Sequence, residues 1–158
     1  MHQLPVVREA LCDVLDERAT GPRPWLRCTL PVDASAAAGL KRSDRLKAWL
    51  IGRLGATALS ELAAVHGYPQ NRRLLGSYVF GGTDAQYLDR LQAWFAAAHD
   101  GDLLMCHASA TGPWPDPILA ARIREYRVLA SPAFQDLLQR SAVEIRPLHP
   151  RATTSPAA

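Results

Sequence analysis

The residue of this sequence best placed for chemistry is His107, which follows the apolar run Leu-Leu-Met-Cys at residues 103–106. The run lies between a Gly-Asp turn and a proline-containing loop, so it predicts a short buried strand over residues 103–107. An imidazole at the carboxyl end of such a strand stands where catalytic groups and metal ligands gather in α/β folds. The alternative is a structural histidine bonded to a neighbouring carbonyl, and the residues alone favour that alternative.

Side chains alternate along a strand, so His107 is expected to share a face with Leu103 and Met105. Cys106 then points to the opposite face, which argues against a Cys–His nucleophilic pair.

The elements that must position this strand alternate between helices and strands. Start and stop signals predict the following helices: from Pro5 to about Gly21, over 44–66 with a bend or break near Gly52 and Gly55, from Thr83 or Asp84 to Ala98, from Asp116-Pro117, and from Ser131-Pro132. Strands are predicted near 25–30, 76–80, 103–107 and 142–147. This alternation is typical of an α/β fold with a mainly parallel sheet.

The chain opens on a helix with no strand before it, and 158 residues are fewer than the ~250 of a complete (β/α)8 barrel. The pattern therefore predicts the back part of a barrel, with its N-terminal strands missing and with open strand edges that invite self-association. Residues 1–147 are expected to form this portion, and residues 148–158 a disordered tail.

The composition is that of an ordinary soluble globular protein, with 48% hydrophobic and 21% charged residues. A formal charge of +3 without a basic stripe gives no support for nucleic-acid binding. The three cysteines, Cys12, Cys28 and Cys106, lack paired metal spacing and indicate free thiols in a reducing compartment. No membrane span or signal peptide is predicted, so we expect a cytoplasmic location.

Three segments together resemble one protein family. The N-terminal MHQLPVVREAL is similar to the tail of a DGHxHxHxLPxVR motif, and GSYVFGG resembles a Gly-x-Tyr-x-Phe-(Ser/Gly) segment. LLMCH, followed by DPILAARIREYRVLASPAFQDLL, resembles an (L/I)MCHPG…DPI…AR..EY..L.S..F..LL block. These motifs belong to the YdjC/ChbG-like carbohydrate deacetylases, which include the HpnK-type branch, and the resemblance extends to about residue 146.

The resemblance implies a divalent-metal hydrolase on a distorted (β/α) barrel that removes N-acetyl groups from amino sugars. In that family one Asp and two His hold the metal (Mg²⁺ or Zn²⁺), and a neighbouring Asp acts as general base. His107 matches a metal ligand, and His2 matches the last histidine of the HxHxH run. The paired-aspartate motif has no counterpart in this sequence, and Ala108-Ser109 replaces the family's Pro-Gly.

Other residues have a functional and a structural interpretation. Arg27 could meet a sugar hydroxyl or carboxylate near the end of its strand, or it is a surface arginine. Tyr78 and Phe80 share a face and could stack on a sugar ring, although a role in the core is commoner. Glu125 and Tyr126 are expected to be a solvated acid and a packed aromatic in the middle of a helix.

The sequence thus predicts a metal-dependent hydrolase resembling carbohydrate deacetylases, truncated and without its catalytic Asp pair. The family's substrates are N-acetylated oligosaccharides or glycolipid-type sugars, and this chain alone is expected to bind metal weakly and to be inactive. The alternative is a non-catalytic α/β protein that binds a sugar or a protein partner.

Overall fold

A computed structural model describes residues 3–18, 20–32, 39–112 and 115–147 of the chain. Within these ranges the chain forms six helices and a small parallel sheet of two strands. The helices are α1 (Pro5–Glu17), α2 (Arg42–Arg53), α3 (Ala56–Val65), α4 (Asp84–Ala97), α5 (Leu119–Leu129) and α6 (Pro132–Arg140). The strands are β1 (Leu74–Leu75) and β2 (Leu103–Leu104). The α/β class is confirmed, whereas the barrel stays a prediction.

Local signals place the helix starts. Pro5 occupies the first turn of α1, and Ser131 caps α6 by accepting a hydrogen bond from the Phe134 N–H. Thr83 and Gln86 form a reciprocal capping box at the start of α4. The helix predicted over 44–66 is split into α2 and α3 by Gly55, whose φ of 99° is in the left-handed region.

The two strands pair in parallel, with Leu74 opposite Leu103 and Leu75 opposite Leu104. The prediction of a strand over 76–80 is therefore wrong: β1 lies just before this segment, and its pairing with β2 stops at Gly76. Gly76 has a φ of 89°, and a Cβ built on it would lie 2.0 Å from the carbonyl oxygen of Met105. Only glycine permits both this backbone conformation and this approach, so the chain leaves the sheet here.

The segment predicted as a strand over 25–30 does not form a strand but makes two isolated parallel bridges, Leu26 to Gln70 and Pro31 to Leu74. Between the two bridges, the Asn71 side chain makes the hydrogen bonds that a neighbouring strand backbone would otherwise make. Its Oδ1 accepts the Cys28 N–H at 2.7 Å, and its Nδ2 donates to the Cys28 carbonyl at 3.0 Å. One more residue lies between the bridges on the first segment than on the second, so a side chain closes the gap.

Two further expectations are wrong. No strand forms at 142–147, where the segment makes no strand pairing with the described part of the chain and Ile145 is exposed. Helix α5 begins at Leu119 and not at Asp116, since the Asp116 carboxylate accepts the Ile118 N–H at 2.9 Å and holds a turn there.

The main core lies between β1, α4, α5 and α6. Its centre is aromatic, with Tyr78, Tyr87 and Trp94 almost fully buried and in mutual ring contact. The other buried members of this core are Leu40, Leu75, Leu91, Phe95, Val128, Phe134 and Leu137. This core fixes the loop after β1 against α5.

No single helix of the described ranges is long and apolar enough to cross a membrane, and α2 with α3 meets that criterion only as a pair bent by 48°. The tail at 148–158 lies outside the described residues.

Candidate functional site

His107 lies just beyond the carboxyl end of β2, with its imidazole partly exposed. The backbone N–H of His107 donates to Glu125 Oε2 at 2.5 Å, and its carbonyl accepts from Arg122 Nη1 at 3.1 Å. The imidazole meets the Phe80 ring edge-on, with 5.1 Å between centroids. Helix α5 and the loop after β1 therefore hold this histidine from two sides.

Glu125 is the carboxylate behind His107, and it is completely buried. Its Oε1 accepts the Tyr78 hydroxyl at 2.6 Å, while its Oε2 accepts the His107 N–H. Burial, reinforced by the Glu125 carboxylate, raises the pKa of the Tyr78 phenol, so the hydroxyl stays protonated and donates. Both oxygens of this buried acid thus have donors, as a buried carboxylate requires.

His107 Nδ1 is buried and lacks a hydrogen-bond partner within the described part of the chain. It lies 3.8 Å from Glu125 Oε1, too far for a hydrogen bond. The ring therefore has one buried nitrogen that the surrounding residues leave unsatisfied. Such an atom is a candidate for a ligand contact, because buried polar groups are ordinarily paired.

The loop at 77–82 carries Tyr78 and Phe80 to this site, and charged side chains hold its backbone. Lys47 Nζ donates to the Tyr78 carbonyl at 2.5 Å, and Arg124 donates to the carbonyls of Phe80 at 2.7 Å and Gly82 at 2.8 Å. Phe80 has a φ of 45°, which is rare for a non-glycine residue and needs such support. The loop is thus fixed from both α2 and α5.

Asp44 and Arg90 form a buried ion pair on the other side of this loop. Arg90 Nε donates to Asp44 Oδ2 at 2.8 Å, and Asp44 Oδ1 accepts the Val79 N–H at 3.1 Å. The Arg90 guanidinium lies 5.1 Å from the centre of the Tyr78 ring. A buried charge pair is expensive to break, so it fixes the position of Tyr78 and, through it, of Glu125.

Lys47 is held between this ion pair and the aromatic ring of Phe80. Its ammonium lies 4.1 Å from the Phe80 ring centre. Burial lowers the pKa of Lys47, and the nearby Asp44 carboxylate opposes that change. The positive charge therefore lies under the ring that contacts His107.

The residues singled out from the sequence fall in different places. Tyr78 and His107 come together through their shared partner Glu125. Arg27 is exposed, beside the Leu26–Gln70 bridge at the amino-terminal side of β1, whereas His107 follows the carboxyl end of β2. Arg27 and His107 therefore lie toward opposite ends of the parallel strands. His2 lies outside the described residues.

Glu125 and Asp44 are the site residues that sequence reasoning missed. The expectation for α5 was inverted: Glu125 is buried, and Tyr126 is about half exposed, at 48%. The helical spacing contained the signal, because Ala121, Glu125 and Val128 share one face and all three are buried. Asp44 stands at the start of the helix predicted over 44–66, and its carboxylate points inward to Arg90 from the first turn of α2.

The metal that the resemblance implies does not fit the described residues as a complete site. Metal ions in catalytic sites normally take three protein ligands, and the described ranges contain no cluster of three His, Cys, Asp or Glu side chains suited to a metal. His107 could supply one imidazole. Glu125, the acid beside it, has both oxygens engaged by Tyr78 and by the His107 backbone.

No curated protein and no solved structure matches the chain. A family model described as YdjC-like protein matches residues 1–140, which include β1, β2, the Tyr78 loop, His107 and Glu125. This match covers most of the 158 residues. The chain therefore belongs to the YdjC-like protein family.

Proposed function

We propose that this chain is a hydrolase of the carbohydrate deacetylase type, with N-acetylated amino sugars as its substrate class and His107 as one ligand of a divalent metal such as Mg²⁺ or Zn²⁺. Membership of a carbohydrate deacetylase-like family supports the substrate class. The observation that carries the role of His107 is its buried Nδ1, which has no partner in the described ranges, at the carboxyl end of β2.

Glu125 and Tyr78 position His107 and do not transfer protons in the reaction. Amide hydrolysis needs a general base for water and stabilisation of an oxyanion. Glu125 is buried, and its oxygens are taken by two donors, so it is unsuited to the role of base. The family's aspartate pair has no counterpart in this sequence, so we expect the 158-residue chain by itself to show little or no activity.

Release of acetate from N-acetylated chito-oligosaccharides tests this proposal, measured with and without added Mg²⁺ or Zn²⁺. We expect almost no acetate from the chain alone. A polypeptide segment carrying the family's aspartate pair and HxHxH run, supplied in trans or fused to the N-terminus, is expected to restore acetate release. His107→Ala should then remove the restored activity, whereas Cys106→Ala should retain it, because the exposed Cys106 is a neighbour in sequence only. Equal turnover by the unmodified chain and by its His107→Ala variant would contradict the role of His107.

A non-catalytic sugar-binding protein is the second candidate. The absence of a three-ligand cluster in the described ranges favours it. Calorimetric titration with an N-acetylated chito-oligosaccharide separates the two candidates. Binding without acetate release, even after the segment with the aspartate pair is added, would favour the binding protein.

A further inference from the structure

Helix α1 presents an apolar and acidic face to solvent. Val6 is 78% exposed, and Val7 and Val14 are also exposed. Glu9, Asp13 and Glu17 follow one another at four-residue spacing and form an exposed acidic row beside the valines. Arg8, the basic residue within this helix, donates from Nη1 to the Gln3 carbonyl, and its Nη2 lies 3.9 Å from Glu9 Oε1. Exposed Arg18 follows the C-terminal end of the helix. The acidic row therefore gives the exposed face of α1 an excess of negative charge.

Helix α2 presents the opposite combination. Leu46 is 64% exposed and Trp49 is 56% exposed, and Leu50 continues the apolar strip. Arg42, Arg45 and Arg53 flank these residues, with the Arg53 guanidinium 5.8 Å from the Trp49 ring centre. The acid of α2, Asp44, is buried against Arg90. The exposed face of α2 is therefore uniformly positive.

The two helices that carry these faces are neighbours on the molecule. Both helices pack on α3, and Gln3, just before α1, donates from Nε2 to the Ile51 carbonyl near the end of α2 at 2.8 Å. A two-fold axis beside this junction would place the α1 of each copy on the α2 of the other. A pairing of this kind closes on itself and covers both apolar strips at once.

We propose that two copies of this chain form a reciprocal dimer in which the acidic, apolar face of α1 (Val6, Val7, Glu9, Asp13, Val14, Glu17) packs against the basic, apolar face of α2 (Arg42, Arg45, Leu46, Trp49, Leu50, Arg53) of the partner copy. Exposed apolar strips of this extent mark interaction sites, and the opposite charges select the partner face. This pairing differs from association through open strand edges, since it depends on side-chain charge and is weakened by salt.

Charge reversal tests the dimer in solution by sedimentation velocity and by light scattering after gel filtration. The α1 variant Asp13→Lys/Glu17→Lys makes both faces positive, and the α2 variant Arg42→Glu/Arg45→Glu makes both negative. The new lysines lie toward the C-terminus of α1, and the new glutamates lie toward the N-terminus of α2. Both placements interact favourably with the helix dipole, so we expect each variant to fold. The control, Asp89→Lys/Asp136→Lys, reverses two exposed acids on α4 and α6.

We expect the unmodified chain and the control to dimerise, and each reversal variant to lose dimer affinity by at least about tenfold. An equimolar mixture of the two variants should regain a dimer, because positive faces then meet negative ones. The dimer of the unmodified chain should also weaken with rising salt concentration, a readout that needs no variant.

Three results would overturn the proposal. The first is a monomer at all concentrations up to sub-millimolar. The second is a dimer that neither charge reversal nor salt weakens, which points to strand edges or another partner surface. The third is an open ladder of higher masses in the mixture instead of a closed dimer.

Discussion

Glu125 Oε2 accepts the backbone N–H of His107 at 2.5 Å, although 18 residues separate them in sequence. The other oxygen of the same carboxylate accepts the Tyr78 hydroxyl. One buried acid on α5 therefore connects the loop after β1 to the segment after β2, and the position of the His107 ring depends on it.

Replacement of Glu125 by alanine is expected to destabilise the fold. The change leaves the Tyr78 hydroxyl and the His107 N–H as buried donors without an acceptor, at about 1–3 kcal/mol for each. Urea unfolding followed by circular dichroism gives the free energy of unfolding. Glu61→Ala, at an exposed position on α3, is the matched control and should change stability by less than about 0.5 kcal/mol. Equal stability of the two variants would contradict the bridging role of Glu125.

Tyr78→Phe is expected to lower the free energy of unfolding, because it removes a hydrogen bond to the Glu125 carboxylate. The substitution leaves Glu125 Oε1 buried without a donor, for a loss of about 1–3 kcal/mol. A double-mutant cycle with Glu125→Gln should return a coupling energy of about 0.5–3 kcal/mol, because the two side chains are in direct contact. Tyr126→Phe, on the exposed side of α5, should show no coupling to Glu125→Gln. Purely additive effects of Tyr78→Phe and Glu125→Gln would count against the hydrogen bond.

Gly76→Ala is expected to separate β1 from β2. The new methyl group would lie 2.0 Å from the Met105 carbonyl oxygen, at a φ of 89° that side chains disfavour. We expect a loss of more than about 2 kcal/mol in the free energy of unfolding. Gly21→Ala is the control, since a Cβ there meets nothing within 4 Å. Thermal melts of the two variants should differ by many degrees, and similar melting temperatures would show that the backbone gives way easily at this point.

Stability is expected to fall in acid through Asp16. The Tyr68 hydroxyl, which donates to Asp16 at 2.6 Å, lowers the pKa of this carboxyl most, and Arg23 and His66 lower it further. The folded pKa therefore lies below the ordinary value of 3.8. The unfolded chain binds the proton more readily, so the contribution of Asp16 is present above about pH 4 and is lost as the pH falls below it.

Urea midpoints measured between about pH 2 and pH 6 check this dependence. The difference between the unmodified chain and Asp16→Asn should be largest near pH 6 and should shrink toward pH 2. Asp89→Asn, at an exposed position on α4, is the control and should run parallel to the unmodified chain. A difference that is constant with pH would mean that Asp16 contributes through packing and not through its charge.

Local features of the sequence were sufficient to predict most helix starts. Pro5, the Thr83–Gln86 capping box and Ser131-Pro132 act within one helical turn, so their effect is readable from neighbouring residues. Gly55 likewise marked the break between α2 and α3. The parallel pairing of the strand at 103–107 followed from the alternation of helices and strands, although only Leu103 and Leu104 form the ladder.

Contacts between distant residues decided the rest. The ladder stops at Gly76 because the Met105 carbonyl approaches it, and the first segment is joined to its neighbour by the Asn71 side chain. The segment at 142–147 alternates in sequence as a strand does, but it pairs with no strand of the described chain. The inward position of Glu125 depends on donors 47 and 18 residues away, Tyr78 and His107. The sequence by itself thus determined the helices and the identity of His107 as a candidate, because those depend on local chemistry. Only the tertiary structure decided what surrounds His107, because a buried carboxylate is stable only where the fold brings donors to it.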